Sequence, residues 1–199
     1  MSLSSIAVVG TGPSGLSIVE AIAQADMSVL AVCVTGGRCG LARKRLRKTL
    51  SMRVDIGELS EEEATAILSR VEFTRDPSDA RECDLVIEST VGDVRARRAV
   101  LATIEGSISR GSVLASNIKR SELPKIAEVL ERKDQFLGLR FFHPSTHTPL
   151  VEVVDLPDTA PGARFACEAF VRWLGKTPVE HVEGTVEPVL GLPAMSGAR

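Results

Sequence analysis

Three glycines are the first residues of this chain whose spacing can do chemistry. Gly10-Thr11-Gly12-Pro13-Ser14-Gly15 reads GxGxxG, directly after the apolar run 5–10 and directly before a helix-compatible stretch. In that setting the first glycine permits a tight turn, and the second lets the backbone approach a pyrophosphate. The third lets helix and strand pack closely, and the helix start at Pro13 and Ser14 faces the phosphates. The chemistry implied is dinucleotide binding. About 20 residues on, at the end of the second strand, an acidic side chain would hold the adenine-ribose hydroxyls. Cys33 stands there instead, followed by Val34-Thr35-Gly36-Gly37-Arg38. No carboxylate is present to bind the diol or repel a 2′-phosphate, and Thr35 and Arg38 could contact that phosphate. The choice of cofactor, NADP or NAD, therefore leans to NADP.

Other reactive side chains point to less. The four cysteines (Cys33, Cys39, Cys83, Cys167) form no CxxC pair and have no histidine at ligand spacing. They read as reduced thiols of a cytoplasmic protein. His143 and His147 are four apart but straddle Pro144, so they share no regular helical face and no metal site is expected. The cluster Arg43, Lys44, Arg45, Arg47, Lys48 lacks interleaved aromatic residues and reads as a solvated helix face, not a nucleic-acid surface.

The elements that must position these residues alternate along the chain. Its 199 residues, 44% hydrophobic, suit one domain with a real core. Its 24 Lys+Arg against 26 Asp+Glu argue against a nucleic-acid binder. No apolar run reaches the ~20 residues of a membrane span, and the amino terminus has no basic region ahead of its apolar stretch. Strands are expected at 5–10, 28–34, 71–74, 85–89, 112–115, 136–142, 150–154 and 177–182. Helices are expected at 13–25, 43–53, 60–69, 94–106, 122–130 and 164–174, with Ser60 and Glu63 as a capping box. This alternation predicts an α/β, Rossmann-type, doubly wound and mostly parallel sheet with helices on both faces. It occupies residues 1–183, ahead of a poorly ordered Gly-, Pro- and Ala-rich tail at 184–199.

Further stretches carry a family resemblance. They are Cys83-Asp84-Leu85-Val86-Ile87-Glu88, Leu114-Ala115-Ser116-Asn117, Gly138-Leu139-Arg140-Phe141-Phe142-His143-Pro144 leading to Leu150-Val151-Glu152-Val153, and Gly175-Lys176-Thr177-Pro178-Val179. With the glycine loop, and in the same order and at similar spacing, they resemble the NAD-binding domain of the 3-hydroxyacyl-CoA dehydrogenases. The likeness runs from about residue 5 to 183. It implies an oxidoreductase in which a His–Glu pair removes the hydroxyl proton of a 3-hydroxyacyl thioester while hydride passes to nicotinamide. It also implies cofactor contacts from Ser89, Thr90, Arg97 and Asn117. Gly12-Pro13-Ser14-Gly15-Leu16 is similar, too, to the start of flavin-dependent oxidases, but nothing downstream matches their other motifs.

Departures from the family pattern fall at the chemistry. Arg140 stands where the family has its catalytic His, and His143 where it has an Asn three residues later. The family's substrate-contacting serine is Lys119, and a Glu that touches the cofactor is Gly92. Glu152, which orients the base, is unchanged. An Arg cannot act as a base near neutral pH. One reading moves the acid/base role to His143, with Glu152 and Asn117 beside it and Arg140 and Lys119 binding an anionic group. The substrate is then a 3-hydroxy or 3-keto acyl compound, CoA-bound or carrier-bound, or a small anionic acid. The other reading is a retired dehydrogenase that binds nucleotide or a protein partner without turnover. The family's helical second domain has no counterpart here, so a homo-oligomer, most simply a dimer, is expected to cover the apolar surface.

Overall fold

A computed structural model describes residues 3–34 and 39–180. Thr35, Arg38 and the 184–199 stretch lie outside the described residues.

The first strand, β1 (Ile6–Val9), alternates its side chains between two cores. Ile6 and Val8 face one layer, Ala7 and Val9 the other. Every position of β1 is buried, as a central parallel strand requires. Helix α1 (Pro13–Gln24) follows the glycine turn at once, and β2 (Val29–Val32) lies parallel beside β1. Next come α2 (Cys39–Asp55), α3 (Glu61–Ser69) and β3 (Val71–Thr74). Ser60 caps α3 with its hydroxyl while the Glu63 side chain returns to the Ser60 N–H, so the expected box forms.

The second half holds β4 (Leu85–Glu88), α4 (Val94–Ser107), β5 (Val113–Ser116), α5 (Leu123–Ala127) and β6 (Phe136–Phe141). After it come β7 (Leu150–Val154), α6 (Pro161–Trp173) and β8 (Thr177–Val179). The sheet order is β3-β2-β1-β4-β5-β6-β7-β8. All neighbours are parallel except β6 and β7, which run antiparallel with Arg140 opposite Glu152. Helices α1, α2, α3 and α6 cover one face, and α4 and α5 the other. The doubly wound, mostly parallel architecture expected from the sequence is therefore present.

Some boundaries differ, each for a local reason. Helix α2 begins at Cys39, ahead of the basic run, because Leu46 and Leu50 bury an apolar stripe that anchors it. Helix α5 is five residues long, between a 3-10 turn at Arg120–Glu122 and the buried Leu130. Strand β8 stops at Val179. Among the described residues no helix is long and apolar enough to cross a membrane.

Candidate active site

The sheet reverses its winding between β1 and β4, and the glycine loop sits at the carboxyl end of β1 at that switch point. Gly10 has φ +108°, and a Cβ there would lie 2.6 Å from the Ser89 carbonyl oxygen. A Cβ on Gly15 would lie 1.8 Å from the Gly10 oxygen, so the start of α1 presses directly on the turn. At Gly12 the nearest atom to such a Cβ is Val91 Cγ1 at 3.7 Å. That position faces a cavity of about 390 Å³ lined by Thr11, Pro13, Thr90, Val91 and Ala96, with Arg45 at its edge. No side chain caps the first turn of α1. Its N–H groups are thus available to an anion, and the cradle fits a dinucleotide pyrophosphate.

Behind this loop lies a buried carboxylate that sequence reasoning gave no role. Glu88, at the end of β4, is fully buried. Arg97 Nη1 donates to both its oxygens at 2.9 and 3.0 Å, Thr90 N donates at 2.6 Å and Ser116 Oγ at 2.5 Å. The Thr90 hydroxyl also binds it. Arg97 and Thr90, expected at the cofactor, therefore spend these donors on Glu88. The signal in the sequence is an acid closing an apolar strand, which must find partners once buried. Ser89, also buried, accepts at Oγ from Asn117 Nδ2 at 3.1 Å. Asn117 Oδ1 accepts from Phe141 N at 2.9 Å, so Asn117 ties the carboxyl ends of β4, β5 and β6 together.

Cys33 is buried at the end of β2, and its N–H donates to the Thr74 oxygen at 2.8 Å. Burial, then a hydrogen bond with Cys39, pushes its thiol up to about 11. It supports the turn from below. Pro13 and Ser14 open α1 as expected.

At the other side of the site, Arg140 Nη1 donates to Glu152 Oε2 at 3.3 Å across the β6–β7 pair. The Arg140 guanidinium also stacks over Phe142, 4.7 Å from the ring centre. His143 lies beyond β6 in an exposed loop, joined to Pro144 by a cis peptide bond. The structure brings Glu152 to Arg140. Lys119 is exposed in the turn after β5.

His143 instead faces a groove of about 1010 Å³ between α1, α2 and the loop that carries it. Pro13, Leu16, Leu46, Met52 and Ile56 supply apolar walls, and Arg45 and Lys48 supply charge. Ser145 N donates to Ser17 Oγ at 2.7 Å, fixing the loop to α1. A chain of ionic bonds closes the far end. Arg53 donates to Glu20 at 2.7 Å and to Glu58 at 2.9 Å, and His147 Nε2 lies 3.2 Å from Glu58. Arg53, then His147, hold the Glu58 carboxyl below its ordinary range.

A glycine turn at the switch point of a doubly wound sheet, with an open helix start above a fitting cavity, defines a dinucleotide-binding domain. Comparison with known families narrows this. The model of the 3-hydroxyacyl-CoA dehydrogenase NAD-binding domain matches residues 5–184, and the chain belongs to that family. The fatty acid oxidation complex subunit alpha of Psychrobacter cryohalolentis is 32% identical over 173 residues, 87% of this chain and 24% of that protein. Among solved structures, FadB2 of M. tuberculosis superposes with a TM-score of 0.86 at 31% identity, over 91% of this chain and 64% of that one. The (S)-3-hydroxybutyryl-CoA dehydrogenase of Ralstonia eutropha gives 0.84 at 26% identity, over 90% and 63%. The chain thus spans about a quarter of the length of the curated relatives it matches.

Proposed function

We propose that this chain carries the nucleotide half of an oxidoreductase that interconverts 3-hydroxy- and 3-ketoacyl thioesters with NAD or NADP. The observation that carries the reading is the glycine turn at the switch point, where Pro13 lines both the cavity above Gly12 and the groove that His143 faces. Gly10, Gly12 and Gly15 with Pro13 and Ser14 form the cradle, bounded by Ser89 and Thr90. When bound, the nicotinamide supplies the hydride acceptor. His143 then takes the hydroxyl proton, within a loop that Ser145 ties to α1. Asn117 lies at the strand ends where the reacting carbons would sit. Glu152 and Arg140 form an ion pair beside them, and Arg140 with Lys119 would bind an anionic group. Leu16, Leu46, Met52 and Ile56 suit the apolar arm of a thioester, and Arg45 and Lys48 suit phosphates of CoA or a carrier.

The lean to NADP rests on Thr35 and Arg38, which follow β2 in the sequence where a carboxylate would otherwise stand. The proposal extends to a cytoplasmic setting, and to a homodimer for which Phe165 and Trp173, 67% and 71% exposed on α6, offer an apolar surface. The residue assignment also treats 1–183 as one nucleotide-binding unit.

A second reading rests on the Arg140–Glu152 pair itself: with Glu152 engaged by a guanidinium, the domain would bind nucleotide without turnover. Calorimetric titration with NAD, NADH, NADP and NADPH, followed by turnover of 3-hydroxybutyryl-CoA, separates the two. Binding with turnover supports the enzyme, and binding alone supports the second reading. Absence of binding at millimolar nucleotide overturns both. His143→Ala is expected to cut turnover about 10²–10⁴-fold and leave nucleotide affinity intact; unchanged turnover removes His143 from the mechanism.

A further inference from the structure

Two of the four cysteines converge on one atom. Cys33 N donates to the Thr74 carbonyl oxygen at 2.8 Å, and Cys39 Sγ donates to the same oxygen at 3.2 Å. The two side chains pack in one small apolar cluster with Leu16, Ala42 and Phe73. Cys33 ends the segment after β2, and Cys39 is the first residue of α2. Val32, next to Cys33, accepts at its carbonyl oxygen from Gly10 N at 2.9 Å, which ties this end of β2 to the glycine loop. The other two cysteines lie elsewhere: Cys167 is buried in α6, and Cys83 precedes β4, at the opposite end of the parallel strands.

We propose that Cys33 and Cys39 are a redox-active dithiol that closes to a disulfide and, in closing, weakens nucleotide binding at the glycine loop. The second half of this rests on the nucleotide-binding reading above; the first half does not. Small-molecule disulfides are the oxidant. Cys39, half-exposed where Cys33 is buried, loses its proton and attacks one sulfur of oxidised glutathione, releasing one glutathione thiolate. Cys33, deprotonated in turn, attacks the Cys39 sulfur of the mixed disulfide and releases the second glutathione. Two protein thiols are oxidised, one glutathione disulfide is reduced to two thiols, and the protons pass to the leaving groups. Because burial holds the Cys33 proton tightly, the second attack is the slower one and quickens as pH rises.

Closure has a direct route to the nucleotide. The new bond takes the Cys39 sulfur from the Thr74 oxygen and draws the first turn of α2 onto the end of β2, whose Val32 carbonyl holds Gly10 N. Both movements occur beneath the turn that would carry the pyrophosphate.

The test uses the whole chain equilibrated in glutathione buffers of increasing oxidised fraction, then acid-quenched and digested with trypsin. Arg38 separates the two cysteines, so the disulfide joins peptide 1–38 to peptide 39–43, a species that falls apart on reduction. That linked species is expected before Cys83 or Cys167 is modified. NAD affinity, measured in the same buffers, is expected to fall about tenfold, a usual size for coupling between sites. Cys39→Ser should form no linked peptide and keep the reduced protein's affinity throughout. Absence of the linked peptide across the series overturns the dithiol. A linked protein that binds NAD as tightly as the reduced one overturns the coupling. Should the reduced protein bind no nucleotide at all, the proposed function fails, while the peptide arm still decides the chemistry.

Discussion

Glu88 and Glu152 are both buried, and both face an arginine, yet their settings differ. Glu88 gathers Arg97, two groups of Thr90 and Ser116, with both carboxylate oxygens engaged. Arg97 is itself only 15% exposed. Glu152 meets Arg140 at the longer distance of 3.3 Å, through a guanidinium 36% exposed and shared with the Phe142 ring. The first carboxylate is knotted into the frame at the centre of the sheet. The second sits near the end of an antiparallel pair whose arginine reaches solvent. Burial alone therefore does not give two acids the same setting; what differs is how far the facing arginine is itself withdrawn from water.

That contrast can be broken by substitution. Glu88→Ala strands Arg97, Thr90 and Ser116 and is expected to cost about 3–5 kcal/mol in urea unfolding. A loss equal to that at the second site would erase the distinction. Arg140→Met is expected to cost about 1–2 kcal/mol in the same assay, between the limits for exposed and buried pairs. Arg140→His gives Glu152 an imidazole partner in the family's arrangement, and turnover of 3-hydroxybutyryl-CoA is expected to rise about tenfold. No rise would mean that Glu152 is no longer placed to orient a base. The smallest effect falls on a third acid. Asp84 accepts from the N–H groups of Ser4 and Ser5 and from both hydroxyls, which lowers its pKa below the ordinary carboxylate value. Its stabilisation is present above that ordinary value and is lost as pH falls through the lowered one. Asp84→Asn should thus remove a small stabilisation at neutral pH, leave low pH nearly unchanged and so flatten the acid limb of a pH–stability curve.

The frame was legible in the sequence because local rules agree with it. Apolar runs mark the strands, Ser60 and Glu63 mark the start of α3, and GxGxxG marks the turn between β1 and α1. The reversal of β7 was legible too, had the gap been weighed. Residues 142–149 are too few for a parallel crossover of a dozen or more residues. The knot at Glu88 was not, because its partners come from α4 and β5, and periodicity says nothing about which donors meet across a sheet. His143 was singled out by resemblance, but the groove it faces was not legible. The contact that places its loop joins Ser145 to Ser17, 128 residues apart. Thr35 and Arg38, read for a 2′-phosphate, lie outside the described residues.

The glycine turn has a consequence for how such a chain changes over generations. Side chains at Gly10 and Gly15 would strike backbone atoms of the turn itself, so folding alone forbids them, whatever the loop binds. Gly12 has open space around its missing Cβ, and only a ligand would penalise a side chain there. Two of the three glycines would therefore persist in a descendant that had lost its nucleotide, preserved as fossils of the fold. The middle glycine is under a different kind of selection: it is the position where loss of the ligand would first be written into the sequence.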